Sequence, residues 1–414
     1  MQQVVFEDPY EFVPPYRGTL WSSFFRRILR WYLRRAYGVT AYEVRGVERL
    51  KESMAAGHGI ILSVNHSRLT DPLTAGLIAV EARIHMYVMA SWHIFKESRF
   101  NQFIARRLGA FSVYREGIDR KALNTAIDIL LAAERPLVIY PEGAISRTND
   151  FVAPLMEGVS FVARTAARRR AKAGPPGRVV IHPVALRYRF QGRLEETLAP
   201  ALAAIEQRLS WHPQEDLPSL DRICKIGEAL LTLKELEYRG EPHAGDVYDR
   251  RDRLVKSLLE PLEREWTDGR HADTVVGRVK NLRQAILPAM VERKVTADER
   301  RRRWKQLDAA LVAQQISLYR RGYLEADSPP ERLLETVQGF EEDLFDKAGA
   351  HGPWKVHLDI GEPLEVSPER QRGNGEDPLL AELHSRMQSL LDRQREDVSG
   401  GGPARAEDLA AVAG

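Results

Sequence analysis

The sequence predicts an α/β fold: a mixed sheet covered by helices, with a large helical insertion or second domain. Three observations carry this expectation. Between about residues 41 and 191, short β-rich runs alternate with longer segments of helical periodicity. From about residue 192 to 350 the composition shifts to Leu, Glu, Arg and Ala, with few β-branched runs. At Trp354–Ile360 an alternating strand pattern resumes and ends on Gly361-Glu-Pro, which returns the chain to its sheet. With 414 residues and 43% hydrophobic side chains the chain can bury one large core or two modest ones.

Residues 1–40 form an amphipathic basic leader. Between Arg17 and Tyr37, Leu20, Phe24, Ile28, Trp31 and Tyr32 recur at helical spacing, and Arg26, Arg27, Arg30 and Arg34 fall largely on the opposite side. No acidic residue interrupts the run from Phe12 to Tyr42, so the helix suits an anionic lipid surface. The alternative is an amphipathic helix that caps the core and leaves a solvated arginine face.

In the 41–191 segment, Gly59–Val64, Ile84–Met89, Phe111–Tyr114, Leu137–Tyr140 and Val179–Leu186 read as strands. Pro72–Val80, Asn101–Leu108, Arg120–Ala133 and Gly158–Arg170 carry helix formers with apolar periodicity. Such an arrangement gathers functional residues at strand ends. The helical stretch 192–350 includes Asp249–Glu265, Asp298–Tyr319 and Pro330–Asp346. Residues 351–398 supply the returning strand and a final helix, and residues 399–414 a flexible Gly- and Ala-rich tail.

Charge and cysteine content narrow the class. A formal charge of +3 does not point to a general nucleic-acid binder. The single Cys224 excludes an internal disulfide framework, fits a reducing compartment and is expected to be a buried bystander. No apolar run reaches the roughly 18 residues of a membrane-spanning helix, and the N-terminus lacks a secretory pattern, so the chain is placed in the cytoplasm.

The segment Val64-Asn-His-Ser-Arg-Leu-Thr-Asp-Pro holds the strongest candidate chemistry. A strand runs into a polar loop, and a helix begins at Pro72. His66 there can take a proton from a hydroxyl near neutral pH, and Asp71 can fix its tautomer and stabilise the imidazolium. On a continuous helix the two side chains would diverge by about 140°, so the pair works only if His66 precedes the helix. Asp71 directly before Pro72 is also a favoured N-cap arrangement that needs no catalysis.

Three further segments follow in order: Gly109-Ala-Phe-Ser-Val-Tyr-Arg115, Tyr140-Pro-Glu-Gly-Ala-Ile-Ser-Arg147 and Val180-Ile-His-Pro-Val184. Together with His66 and Asp71 they resemble the glycerolipid acyltransferase family that includes the lysophosphatidic-acid acyltransferases. Its marks are a His-x4-Asp motif, a Gly-led strand ending in Arg, a Phe-Pro-Glu-Gly-Thr-Arg-Ser turn and a late Pro. The match spans about Tyr42–Tyr188, and agreement of four blocks in order makes it specific.

The resemblance implies an O-acyltransferase with His66 and Asp71 as its catalytic pair. It assigns Arg115, Glu142, Gly143, Arg147, Gly109 and Pro183 to substrate binding, with Glu142 toward the acceptor and Pro183 at the rim near the acyl chain. Arg115 is suited to phosphate because its guanidinium fork matches phosphate oxygens, although an arginine at a strand end can equally be a surface ion pair. Gly143 can supply a backbone angle that other residues disfavour. Two departures bear on the acceptor: Ala144 and Ile145 replace the usual Thr and Arg, and the position of a frequent family lysine falls near Ser91 or Trp92, with Lys96 displaced.

His85, His93, His182 and His212 lack metal-cluster spacing and read as structural, so no metal is expected. No nucleophile elbow, phosphate-binding loop or dinucleotide fingerprint is present, which disfavours covalent serine catalysis. The basic run Arg164–Lys172 reads as a solvated helix face rather than a nucleic-acid site.

The expected reaction is transfer of a fatty acyl group from acyl-CoA or acyl carrier protein to a lysophospholipid hydroxyl, foremost 1-acyl-sn-glycerol-3-phosphate. No cofactor is needed. The expected site of action is the inner face of a membrane, with peripheral attachment through the N-terminal helix. Two alternatives stay open: a different lysolipid or amphiphile as acceptor, and a catalytically silent membrane-associated scaffold that binds lipid.

Overall fold

The computed structural model describes residues 6–174, 177–369 and 377–399. Its eight strands are β1 Val39–Arg45, β2 Gly59–Val64, β3 Tyr87–Ser91, β4 Ala110–Val113, β5 Leu137–Ile139, β6 Val179–Phe190, β7 Trp354–Ile360 and β8 Leu364–Glu365. They form one sheet in the order β1-β7-β6-β2-β5-β3-β4, with β8 paired to β6. The run β6-β2-β5-β3-β4 is parallel throughout. Strand β7 lies antiparallel to β6 and parallel to β1. The sheet is therefore mixed and mostly parallel, and helices cover it, as the sequence predicts.

Period-two alternation assigns each strand's side chains to opposite faces. On β2, Ile60, Leu62 and Val64 join one hydrophobic cluster and Ile61 the other. Helices Leu194–Arg208 and Pro330–Phe345 and the first half of Ser219–Arg239 pack into the first cluster. Helices Arg120–Ala132, Gly158–Ala173 and Pro378–Ser399 cover the second. Between them in sequence, helices Val247–Trp266, Val275–Ile286 and Ala297–Ser317 close around a third cluster that includes Leu254, Leu259, Leu282, Ile286 and Ala313. The helical stretch thus has a core of its own, while its flanking helices complete the core of the sheet.

Several local expectations are corrected. Cys224 is exposed, on the outer side of helix Ser219–Arg239. Within the basic run, Arg170 is buried and donates to the carbonyls of Leu130, Leu131 and Gly57, and Arg164 forms a two-pronged pair with Asp377. These two residues tie helices together rather than face solvent. Strand β1 escapes the sequence pattern because it is an edge strand with Glu43 and Arg45 breaking its alternation. Apart from Ser399, the tail expected to be flexible lies outside the described residues.

The N-terminal helix Leu20–Tyr37 carries two apolar stripes. Leu29 and Leu33 face the core, whereas Leu20 is 75% exposed, Trp31 67% and Phe24 49%. The apolar face read from the sequence is the outer one, and exposed Arg27, Arg30, Arg34 and Arg35 flank it. Arg26 instead turns inward and donates to the Ile84 carbonyl. Among the described residues no helix is long and apolar enough to cross a membrane.

Candidate active site

The site sits at the carboxyl ends of the parallel strands. Ladder pairing of β2 with β6 stops at Val64 and Val184. Beyond it, the Asn65 amide takes over the strand's part, accepting from the Leu186 N–H at 2.7 Å and donating to the Leu186 carbonyl at 3.0 Å. Asn149 does the same at Tyr188. Two side-chain amides thus satisfy backbone groups of β6 that would otherwise be buried without partners, and the chain after Asn65 is free to leave the sheet.

His66 therefore lies in a loop, and the next helix starts at Asp71. Asp71 is fully buried. Its Oδ2 is 2.9 Å from His66 Nδ1 and accepts from the Arg68 N–H at 2.8 Å, while Oδ1 accepts from the Tyr188 hydroxyl at 2.8 Å. Tyr188 is held in turn by Thr70 and Thr74, each at 2.9 Å. An ionised carboxylate only accepts, so Nδ1 carries the proton and Nε2 presents a lone pair. Among the described residues Nε2 has no hydrogen-bond partner, and the His66 side chain stays 17% exposed. That is the arrangement of a general base with an orienting carboxylate.

The loop is clamped from three sides. The His66 N–H donates to Glu142 Oε1 at 2.6 Å, and Glu142 Oε2 accepts from the Ala153 N–H at 2.8 Å. The His66 carbonyl accepts from the backbone N–H of Ser146 at 2.7 Å and from its hydroxyl at 3.0 Å. Arg68 lies over the rings of Trp354 and Tyr188 and pairs with Glu335 at 3.4 Å. The Tyr140 ring packs on the imidazole with centroids 4.5 Å apart.

Known proteins resemble the segment that holds this site. The Acyltransferase family model matches residues 41–187. Over 188 residues, 45% of this chain, the sequence is 27% identical to a 1-acyl-sn-glycerol-3-phosphate acyltransferase of Bacillus subtilis (strain 168), covering 85% of that protein. Residues 41–187 form an acyltransferase domain. The chain is an O-acyltransferase, and the matched segment runs from within β1 to within β6 and contains the His66 loop.

The acyltransferase fold brings together four of the expected site residues besides His66 and Asp71, and leaves two apart. Arg115, just after β4, donates through Nη2 to the Gly143 carbonyl. Gly143 has a φ of +71° and packs its open Cα face against Met156, so a side chain there would be both strained and crowded. Glu142 spends both oxygens on backbone N–H groups and so positions His66. Arg147 is bound to Glu342 and Asp343 at 2.9 and 3.1 Å and to the Tyr319 hydroxyl, all from the helical stretch. Gly109 lies at the opposite end of β4, where its φ of +94° and close approach to the Met86 carbonyl explain it. Pro183 is buried within β6, beside the Gly361 turn where β7 gives way to β8, so its missing N–H falls where the partner strand bends.

Sequence reasoning did not single out Tyr188, Asn65, Asn149, Ser146 or Glu335 in this acyltransferase. Tyr188 alternates with Val184 and Leu186 along β6 and so reads as a core aromatic, and nothing local shows that it reaches Asp71.

Glu142 offers a direct check on the acyltransferase site. Burial pushes its pKa up to about 8, against two N–H donors that favour the charged form. Above pH 8, where the native carboxylate is ionised, Glu142→Gln turns one end of the amide on an N–H donor, a mismatch of about 1–3 kcal/mol, and the kinetic comparison is made there. We expect kcat to fall about tenfold to a hundredfold while the donor KM changes by less than about twofold. The folded protein holds a proton that the unfolded chain releases above the ordinary carboxylate range, so this group makes stability decline as pH rises from about 4.5 to about 8. Denaturant titrations across that range should show the decline flattened in the Gln variant.

Proposed function

We propose that this acyltransferase transfers a fatty acyl group from acyl-CoA or acyl carrier protein to the free hydroxyl of 1-acyl-sn-glycerol-3-phosphate, at the surface of a membrane, in phospholipid synthesis. The observation that carries the reading is the free Nε2 of His66, with Nδ1 committed to buried Asp71. Nε2 takes the hydroxyl proton as the acceptor oxygen bonds to the thioester carbonyl carbon. The tetrahedral intermediate then collapses, the C–S bond breaks, and the imidazolium returns its proton to the leaving thiolate. Asp71 stabilises the imidazolium between these steps. No acyl-enzyme forms.

The acceptor follows the activity for which the Bacillus subtilis relative is named. The membrane site rests on the outer stripe of helix Leu20–Tyr37, where exposed Leu20, Phe24 and Trp31 stand among arginines, a composition suited to an anionic headgroup layer. The thioester supplies the activation, so the reading requires no cofactor.

The test offers purified protein acyl-CoA, or acyl carrier protein as an alternative donor, with a panel of acceptors: lysophosphatidate, other lysophospholipids and monoacylglycerol. Products are identified by mass. Phosphatidate as the dominant product supports the reading. A dominant product from another lysolipid replaces the acceptor, and vesicle binding without any product favours a silent lipid-binding scaffold.

A further inference from the structure

Beside the His66 loop lies a group of cations that the catalytic pair does not use. Arg115 reaches it from the end of β4, its guanidinium anchored on the Gly143 carbonyl. Gly143 follows Glu142, which holds the His66 N–H, so the Arg115 guanidinium adjoins the turn that supports the base. His93, near the start of helix Trp92–Glu97 after β3, lines the same region with Nδ1 engaged by the Ser91 hydroxyl at 2.8 Å. Helix Val275–Ile286 of the helical stretch brings two more cations within electrostatic reach of Arg115. It carries Lys280 and Arg283 three residues apart on one face.

Arg283 is the telling residue. It is only 4% exposed, yet its Nε and Nη2 are buried without a hydrogen-bond partner. Buried guanidinium groups are ordinarily paired, and an unpaired one is costly. Lys280 also makes no hydrogen bond or ion pair among the described residues. Its neighbours include Glu157, and those of Arg283 include Glu116. Three cations thus face two carboxylates, which leaves at least one positive charge over. Their mutual repulsion is felt: Arg115 contributes to depressing the proton affinity of Lys280, Arg283 and His93, and His93 is held neutral with a pKa of about 4, chiefly by burial.

We propose that Lys280 and Arg283, from the helical stretch, join Arg115 to form a binding site for a phosphoryl group, the phosphate of the acyl acceptor. The site completes the reading given above and depends on it for the identity of the acceptor. It also gives the helical stretch a role at the active site. Position 145, where the family's turn carries an arginine, is Ile145 here, and Arg147 is already bound to Glu342 and Asp343. Lys280 and Arg283 bring cationic groups to Arg115 from a different part of the chain. A phosphomonoester brings up to two negative charges and three acceptor oxygens, enough to satisfy the idle Arg283 donors.

The experiment uses the full chain and two kinds of readout. Binding of glycerol 3-phosphate, measured by calorimetry without turnover, is compared for wild type, Lys280→Gln and Arg283→Gln. Each variant should weaken binding about tenfold, the size of one charge-assisted bond. In turnover with lysophosphatidate and acyl-CoA, each should raise the acceptor KM about tenfold, with kcat and the acyl-CoA KM within about twofold. Lys280 is partly exposed, so its variant tests the site even if Arg283→Gln folds poorly. A third variant, Arg283→Met, should not lower the melting temperature of the ligand-free protein, because it removes an uncompensated buried charge.

Unchanged glycerol 3-phosphate binding in folded variants overturns the site, whatever the activity. A raised acyl-CoA KM with an unchanged acceptor KM places a donor phosphate there and overturns the assignment to the acceptor. Because binding is read without catalysis, loss of the site and failure of the proposed reaction are separate results.

Discussion

Replacing His66 with alanine is expected to lower kcat by about a thousandfold or more, with the protein folded and its substrate affinities little changed. General-base catalysis by a positioned imidazole is worth roughly 10²–10⁴-fold, and among the described residues no other group is poised to take its place. The nearest ring, Tyr140, packs against the imidazole, and burial raises its pKa well above the ordinary tyrosine value, so it cannot serve as a base near neutral pH. The side chain of His66 is partly exposed and makes one hydrogen bond, to Asp71, while its backbone bonds to Glu142 and Ser146 survive truncation. The loop should therefore keep its shape. Steady-state kinetics with circular dichroism on the same preparation checks both halves of the expectation.

Asp71→Asn should be nearly as damaging, for an electrostatic reason. The amide can keep its oxygen toward the Arg68 N–H and His66 Nδ1–H and turn its NH2 toward Tyr188, whose hydroxyl can accept. Geometry and most of the stability are retained. What is lost is the negative charge that stabilises the imidazolium, and with it a kcat factor of roughly 10²–10⁴. Asp71→Ala separates the two effects, since it leaves the Tyr188 hydroxyl, the Arg68 N–H and His66 Nδ1–H without their acceptor. It should add a stability loss of about 2–4 kcal/mol that the Asn variant does not show. An Asn variant with near wild-type kcat would reduce Asp71 to a brace of the His66 loop, since Thr70 and not Asp71 is the N-cap of helix Asp71–Thr74.

These residues were legible in the sequence because their spacing is local. A continuous apolar strand, a polar loop and Pro72 place His66 before a helix and Asp71 at its start, and five residues suffice to close the pair. The supports of the pair were not legible. Tyr188 lies 117 residues from Asp71. Glu335 lies 267 residues from Arg68, on a helix whose own pattern only reveals a packed face. Arg147 carried the expected charge, but its partner Asp343 is 196 residues away, and no local signal shows that the charge is already used. The N-terminal helix illustrates a different limit. Periodicity found a real apolar stripe, yet a helix with two such stripes does not say which one meets the core. Leu29 and Leu33 do, and the stripe read from the sequence faces outward.

The sheet was largely recovered for the same reason as the catalytic pair. Strands β2, β5, β6 and β7 are buried and rich in β-branched residues, whereas edge strand β1 and two-residue β8 are defined by pairing rather than by composition. The helical stretch was recognised as helical but without a role. Its contacts with the site's surroundings come from acidic side chains that the local pattern does not distinguish from a solvated face: Glu335 on Arg68, and Glu342 and Asp343 on Arg147.

The most direct measurement is thiol release from acyl-CoA by the wild-type protein, followed with and without lysophosphatidate from the first turnover onward. The account predicts acceptor-dependent release from the first cycle and, without acceptor, no burst equal to the enzyme present. A stoichiometric burst without acceptor would contradict direct transfer, and no acceptor-dependent release from either thioester donor would contradict the acyl transfer itself.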